Sequence, residues 1–332
     1  MKIKIIGCGS AGNHISFAFS KYAKKITMTD TSEKFFLRSK KIYIQRYNKW
    51  NNKIDFKLEK NDKTFYDVIL ISSPPNTHFK LLKKNIDKAN LFMIEKPLLQ
   101  PSKLILDKFN NLIKSKKNKK ILCGYNHRLF PSTKKFLELF RNKIKLVNSL
   151  TINFKETTSG FLKAHNWMKS IEESYLGSTK NGGGSLCEHS HGINLAQFFI
   201  PTLNDKDLIN KKIKFSQNKK YDLSSELLFK KNNIYISVNQ NFITSPVEKN
   251  IVAIGKNILI KLVYNHELSN DRIIFITNKK KKIFDFKKKR QDDFIYEADH
   301  IYELFRSKKN TTPIDSNIAL NTMKIINKAL KL

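Results

Sequence analysis

Gly7-Cys8-Gly9-Ser10-Ala11-Gly12 forms a G-x-G-x-x-G turn, and Asp30 stands 18 residues beyond its last glycine. These residue types at this spacing suit a dinucleotide. Gly7 permits a tight turn, Gly9 leaves room for a pyrophosphate beside the backbone, and Gly12 lets a helix pack closely on a strand. The free N–H groups and dipole of the following helix favour phosphate charge, so Ser10 and Ala11 join the glycines as expected cofactor contacts. Asp30 is placed to accept hydrogen bonds from the adenosine ribose. That favours NAD, since a 2′-phosphate beside a carboxylate would be repelled. Lys34 and Arg38 stand near enough in sequence to admit NADP as well.

A second concentration of reactive side chains lies in Gly182-Gly183-Gly184-Ser185-Leu186-Cys187-Glu188-His189-Ser190-His191. Cys187, Glu188, His189 and His191 are all metal-ligating types. A zinc site needs three or four ligands that converge, usually from separate segments. One crowded helical turn does not point all four inward, so no metal is expected.

The elements that must position these residues follow from periodicity. Lys2–Ile6 reads as a buried strand, Asn13–Tyr22 as a helix and Ile26–Met28 as a second strand. Ser32–Tyr47 reads as a lysine-rich helix and Ile54–Leu58 as a short strand. Tyr66–Ser72 is a clear buried strand, stopped by Ser73-Pro74-Pro75-Asn76-Thr77-His78, where Asn76 or Thr77 is a candidate helix cap. Leu91–Ile94 is a strand ending in Glu95-Lys96-Pro97. Ser102–Lys114 is helical and Lys119–Cys123 is one more strand. Strands alternating with helices predict a doubly wound parallel sheet, whose ligands sit beyond the carboxyl ends of the strands. Each motif of this half falls at such an end.

Beyond residue 125 the pattern changes. Asn148–Phe154, Leu223–Phe229, Ile234–Asn239, Ile251–Ile254, Ile258–Val263 and Arg272–Thr277 read as strands with short connections. They predict an α+β domain with an open, largely antiparallel sheet. Ser185–Phe199 and Ile314–Leu332 read as helices. The expected division is 1–124 and 125–332, with the helix 314–332 packing back on the first domain.

The chain has 332 residues, 40% of them hydrophobic, with a formal net charge of +35. No apolar run approaches a membrane span. The first residues read as a strand and not as a signal peptide. Three widely spaced cysteines, Cys8, Cys123 and Cys187, fit a reduced cytoplasmic setting without a disulfide framework. The positive charge is nearly all lysine and is spread along the chain, with no recognition motif, so neither nucleic acid nor membrane is the expected partner. Of the two longest basic blocks, Lys279–Lys282 reads as a solvated hairpin turn; the other is Lys287-Lys288-Lys289-Arg290. Attraction of an anionic substrate such as a nucleotide sugar is the more useful expectation.

Taken together, the glycine turn, Pro75-Asn76-Thr77-His78, Glu95-Lys96-Pro97 and Gly124-Tyr125-Asn126-His127-Arg128 resemble the Gfo/Idh/MocA oxidoreductases over essentially the whole chain. The resemblance implies a Rossmann domain, an open-faced sheet domain that forms a homodimer or homotetramer, and hydride transfer between NAD(P) and a sugar, sugar acid or nucleotide sugar, as in surface-polysaccharide or sialic-acid-like synthesis. It places Ser73, Pro74, Asn76, His78, Glu95 and Lys96 at the cofactor. It makes Lys96 the donor to the reacting oxygen and His191 the general acid/base, for which an imidazole is suited by its near-neutral pKa. It lines the substrate pocket with Lys96, Tyr125, Asn126, Arg128, Trp167, Tyr175, Glu188 and His191, and implies a cis bond before Pro97.

The chain departs from the pattern near His191. Cys187 stands where many members carry aspartate, and Gly192 and Asn194 replace acids. Glu188, three residues before His191, is the remaining acid to share its helical face. A dinucleotide- and sugar-sensing regulator and an NAD-dependent glycosidase therefore stand as alternatives.

Overall fold

The computed structural model describes residues 1–60, 63–164, 168–265, 270–278, 280–307 and 311–331. Six strands form the first sheet: β1 (Lys2–Ile6), β2 (Lys25–Asp30), β3 (Ile54–Leu58), β4 (Val68–Ile71), β5 (Leu91–Ile94) and β6 (Lys120–Cys123). Four helices connect them: α1 (Ser10–Phe19), α2 (Lys34–Tyr47), α3 (Pro75–Asn85) and α4 (Lys103–Ser115). The order is β3-β2-β1-β4-β5-β6 and every pairing is parallel. Chain direction across the sheet reverses between β1 and β4, which opens a crevice above their carboxyl ends. β4 and β5 are buried throughout, which is why they read as unbroken apolar runs.

A lysine sits inside this sheet. Lys4, in the middle of β1, is fully buried, with Nζ 3.0 Å from Glu59 Oε2. Thr29 Oγ1 donates to the same carboxylate at 2.6 Å, and Lys84 Nζ lies 3.5 Å from Oε1. Removing one partner of such a pair leaves an uncompensated buried charge. Glu59→Gln is expected to lower the unfolding free energy by about 3 kcal/mol, read from urea midpoints. A change within about 0.5 kcal/mol would show that Lys4 does not depend on this partner.

The second half contains α5 (Pro131–Lys143), β7 (Val147–Lys155), α6 (Thr158–Ala164), α7 (Ser185–Glu188) and α8 (His191–Phe199). Then follow β8 (Leu208–Phe215), β9 (Asp222–Lys231), β10 (Ile234–Asn241), β11 (Glu248–Gly255), β12 (Ile258–Asn265), β13 (Asn270–Thr277), β14 (Lys280–Lys287), α9 (Asp292–Arg306) and α10 (Ser316–Leu330). The eight strands order as β14-β13-β12-β11-β7-β10-β9-β8. All pairings are antiparallel except that of β7 with β10. α5 and α8 lie against one face, while Tyr235, Ile254, Ile276 and Ile283 are exposed. Past Pro313 the chain returns to the first sheet. Cys123 N–H donates to Ile314 O at 2.9 Å, Leu122 bridges Asp315, and α10 lies against both α4 and α8.

Several local expectations change. α1 begins at Ser10, three residues earlier than the apolar periodicity suggests, because the glycine turn feeds straight into it. Pro75 opens α3 with Pro74 as its N-cap, so Asn76 and Thr77 lie inside the first turn. The helix expected over Ser185–Phe199 is two helices, interrupted at His189 and Ser190. Lys280, Lys281 and Lys282 pair with Thr277, Ile276 and Phe275 as part of β14, while Lys279 lies outside the described residues. β14 is an edge strand, where lysines discourage further pairing. β8, at the opposite edge, and the helices α5 and α9 were not expected.

Candidate functional site

The floor of the crevice is the glycine turn. Gly7 has φ +111° and donates its N–H to Thr29 O at 2.8 Å. A Cβ there would lie 2.8 Å from the main chain of Ser72, and one at Gly12 would overlap the Gly7 carbonyl oxygen. Both positions are therefore closed to larger residues. Gly9 is the opposite case: a Cβ there would meet nothing within 4 Å. The turn is packed beneath and open above, at the N-terminus of α1, whose first turn carries no acid. Asp30 is held beside it, with Oδ2 accepting from Cys8 N–H at 2.8 Å and Oδ1 from Thr31 N–H at 2.7 Å. Arg38 of α2 lies within Coulomb range of this carboxylate.

The ends of β4 and β5 form the adjoining wall. Ser73 Oγ and Thr77 Oγ1 are 2.6 Å apart, and Asn76 Nδ2 donates to Asn181 Oδ1 at 3.2 Å, tying this wall to the second half of the chain. His78, expected at the cofactor, lies behind the wall. It is fully buried and its ring spans Ser73 O at 2.7 Å and Leu98 O at 3.1 Å. Burial holds its pKa below the ordinary range against the opposing pull of these carbonyls, so the neutral ring donates to one of the two oxygens and packs against the other.

Lys96 follows β5, and its bond to Pro97 is cis. Its Nζ donates to Glu188 Oε1 at 2.7 Å and to Glu188 O at 2.9 Å. Two of its three N–H donors are thus used and one is left. Glu188 Oε2 accepts from Tyr175 O–H at 3.2 Å. The acid expected to serve His191 therefore serves Lys96, because the break after α7 turns Glu188 away from the α8 face. Glu95 accepts from Lys96 N–H at 3.1 Å. Desolvation pushes its carboxyl up to about 7 against the pull of the Lys96 charge. Glu297 of α9, also buried, is pushed well up by desolvation, with the Glu95 charge adding to the effect.

His191 opens α8 and is 9% exposed. Its Nδ1 has no hydrogen-bond partner among the described residues. Tyr125 meets its ring edge-on at 5.5 Å, and His127 lies 4.2 Å away. Burial first, and then the Lys96 charge, holds its pKa well below the ordinary histidine value, so it is a neutral base at pH 7. α7 is set by Asp222 of β9, whose Oδ2 accepts from Ser185 Oγ at 2.6 Å and Leu186 N–H at 2.8 Å. Cys187 is fully buried, and burial raises its thiol pKa well above normal.

Arg128 is not in the pocket. It is 2% exposed, donates to Asn194 Oδ1, to Asn194 O at 2.5 Å and to Pro313 O at 3.0 Å, and packs on Phe198. With only neutral acceptors around it, burial lowers its pKa to about 9. It clamps α8 to the chain entering α10. Asn126 is buried beside His127, with Oδ1 3.2 Å from its Nδ1. Trp167 lies outside the described residues.

His189, weighed in the sequence only as a metal ligand, and two side chains not singled out there, Glu156 and Lys249, complete this side. His189 is buried, its Nδ1 3.8 Å from Glu156 Oε1, and Glu156 pairs with Lys249 at 2.9 Å. Burial lowers His189 to about 4 despite the Glu156 charge. Glu156 follows β7, and Lys249 lies on β11 opposite Phe154. Only the strand pairing brings them together. Among the described residues no three His, Cys, Asp or Glu side chains are grouped to hold a metal ion. None of the described helices is long and apolar enough to cross a membrane.

No protein-family model and no curated protein matches the chain. Solved structures do. An aldose–aldose oxidoreductase from Caulobacter crescentus superposes with a TM-score of 0.76 at 13% identity, covering 99% of this chain and 96% of the other. A 3-ketoreductase from Actinomadura kijaniata, in complex with NADP and TDP-benzene, gives 0.74 at 10% identity, over 100% and 97%. A protein of gentamicin A biosynthesis in complex with NAD gives 0.72 at 13% identity, over 99% and 93%. The parallel sheet followed by the mixed eight-stranded sheet is the fold shared with these oxidoreductases.

Proposed function

We propose that the chain is an NAD(P)-dependent oxidoreductase acting on a hydroxyl or carbonyl carbon of a sugar, sugar acid or nucleotide sugar. One observation carries this reading: Lys96 leaves the end of β5 with one N–H donor unused among the described residues, and its charge acts on the neutral His191 at the start of α8. The residues fit a dinucleotide. Gly9 faces open space, the first N–H groups of α1 border it, and Asp30 is fixed where a ribose would lie. A nicotinamide dinucleotide would supply or accept the hydride. Lys96 holds the substrate oxygen and stabilises alkoxide charge, its ammonium aligned by Glu188 and Tyr175. His191 takes or returns the hydroxyl proton. The similar oxidoreductases crystallised with NADP or NAD support the cofactor class. The exposed apolar side chains of the eight-stranded sheet support assembly through that face.

The test is NADH and NADPH fluorescence titrated into the protein, followed by a panel of sugars, sugar acids and nucleotide sugars with absorbance read at the nicotinamide band. Tight binding and a sugar-dependent absorbance change are expected. Binding without change for any member of the panel would leave only a binding function, and no binding would end the dinucleotide reading. Asp30 sets the cofactor preference. NADH is expected to bind more tightly than NADPH, and Asp30→Ala to weaken NADH about tenfold while bringing NADPH level with it. An unchanged NADH/NADPH ratio in that variant would remove Asp30 from this role.

A further inference from the structure

The basic block Lys287-Lys288-Lys289-Arg290 is not a solvated tail. Lys288 is buried, with Nζ 3.0 Å from Asp293 Oδ1, 3.6 Å from Asp271 Oδ2 and 4.0 Å from the Phe130 ring centre. It pins the start of α9, and this fixes the direction of Arg290. Arg290 donates to Asp293 Oδ2 at 2.5 Å and lies 5.7 Å over the Phe294 ring, which stacks on His14 of α1 at 4.7 Å. His14 is one helical turn from Ser10. Arg290 thus stands over the first turn of α1, and it shares its one carboxylate with Lys288.

A second arginine reaches the same turn from the other side. Arg46, near the end of α2, donates to Ser10 Oγ at 2.9 Å and Ser10 O at 3.4 Å. It has no carboxylate within ion-pair distance among the described residues. Burial lowers its pKa, and the Arg290 charge adds to that. Arg290 also acts on Glu95 and His191 at the other end of the crevice. Two mutually repelling cations therefore flank an open backbone turn whose helix carries no acid in its first turn, the Asp30 carboxylate being taken up by Cys8 and Thr31 N–H. Such an arrangement costs free energy unless an anion lies between them.

We infer that Arg46 and Arg290 are a two-sided clamp for the diphosphate of a bound dinucleotide, adding side-chain charge to the N–H groups of α1. The inference rests on the dinucleotide reading. Its structural content is that one jaw comes from the first sheet's own helix α2 and the other from the segment that leads into α9. The second half of the chain thereby completes the cofactor site. Guanidinium is suited to this by its planar fork of donors, which matches phosphate oxygens in pairs.

The test compares NADH, ADP-ribose and adenosine on the wild type and on Arg46→Met, Arg290→Met and the double variant. NADH is read by fluorescence and the other two by displacement of NADH. Each single variant is expected to weaken NADH and ADP-ribose about tenfold and the double variant about a hundredfold. Adenosine, which has no diphosphate, should bind all four proteins alike. The salt dependence of NADH affinity should also flatten in the double variant. Unchanged NADH affinity in Arg290→Met overturns the clamp, as does an equal loss for adenosine, which would mean general distortion. Arg290 is exposed, so its variant keeps the question open to disproof even where Arg46→Met destabilises the fold. Arg46→Lys, with charge kept and the fork lost, should lose only part of the affinity, and by the same factor for NADH and ADP-ribose. A wild type that binds no NADH at all would instead sink the dinucleotide reading, before any variant is made.

Discussion

Lys96→Ala is expected to reduce turnover on the true substrate by 10²–10³-fold or more, while NADH affinity changes far less. The magnitude is that of a pre-aligned donor to a developing oxyanion. Lys96 is aligned by two contacts to Glu188, and that carboxylate is itself held by Tyr175. Deleting the ammonium removes both the donor and the only positive charge bonded to Glu188 among the described residues, which turns the local field negative where alkoxide charge must develop. Lys96→Arg is not a rescue, since a planar guanidinium does not reproduce a compact ammonium at the end of this strand. Glu188→Gln should give a smaller loss, mostly in kcat, because Lys96 keeps its bond to the Glu188 carbonyl. A Lys96→Ala protein with undiminished kcat would remove Lys96 from the chemistry and with it the mechanism.

The second large effect is on stability in acid. Burial holds His14 at about 3 and His189 at about 4, holds His191 well below its ordinary value, and lowers His78 and His300 as well. A base with a depressed folded pKa contributes stability above its unfolded pKa, here near 6.5, and that stability is lost as pH falls toward the folded value. Burial acts oppositely on acids. Glu95 is raised to about 7, Asp222 to about 6, and Glu297 well above normal. Their penalty is present at high pH and is relieved as pH falls toward their unfolded values near 4. Five histidines therefore oppose three carboxyls between about pH 6.5 and 4.5, and stability declines there by at most about 3 kcal/mol per pH unit, the equivalent of two net protons. Below about 4.5 the carboxyl relief is exhausted while the most depressed histidines still resist protonation in the fold, so the decline steepens. Urea midpoints should fall from about pH 6.5 and fall faster below 4.5. A level midpoint from pH 7 to 4.5 would mean that the buried carboxyls outweigh the histidines; persistence to pH 3.5 would mean that the histidines are not buried neutral.

What was legible in the sequence was local. The glycine turn, Asp30 and Lys96 are each placed by a few consecutive residues at the end of one strand, so their spacing alone carries their geometry. Roles that depend on a partner far along the chain were not legible. Arg128 looked like a pocket residue because it follows Tyr125 and Asn126, but Asn194 and Pro313 draw it inward. Glu188 shares a turn with His191 by count, and the break at His189 and Ser190 hands it to Lys96. Glu156 and Lys249 meet only through the pairing of β7 with β11. The strand β8 and the lysine-rich start of β14 were hidden for another reason. They are edges, and their alternation is diluted by lysines placed where no neighbour packs against them. In α9, the buried acids Asp293 and Glu297 interrupt the apolar stripe that announces a helix.

The return of the chain to β6 sets an order in time. Until Ile314 and Asp315 arrive, the main chain of Leu122 and Cys123 lacks these partners, and α4 lacks the apolar side of α10. On a ribosome the first sheet can therefore gather its six strands early, but its outer edge stays uncovered for nearly two hundred further residues of synthesis. The contact that seals the first half of the chain is among the last to be made, so a nascent or truncated chain exposes an aggregation-prone strand that the finished molecule conceals.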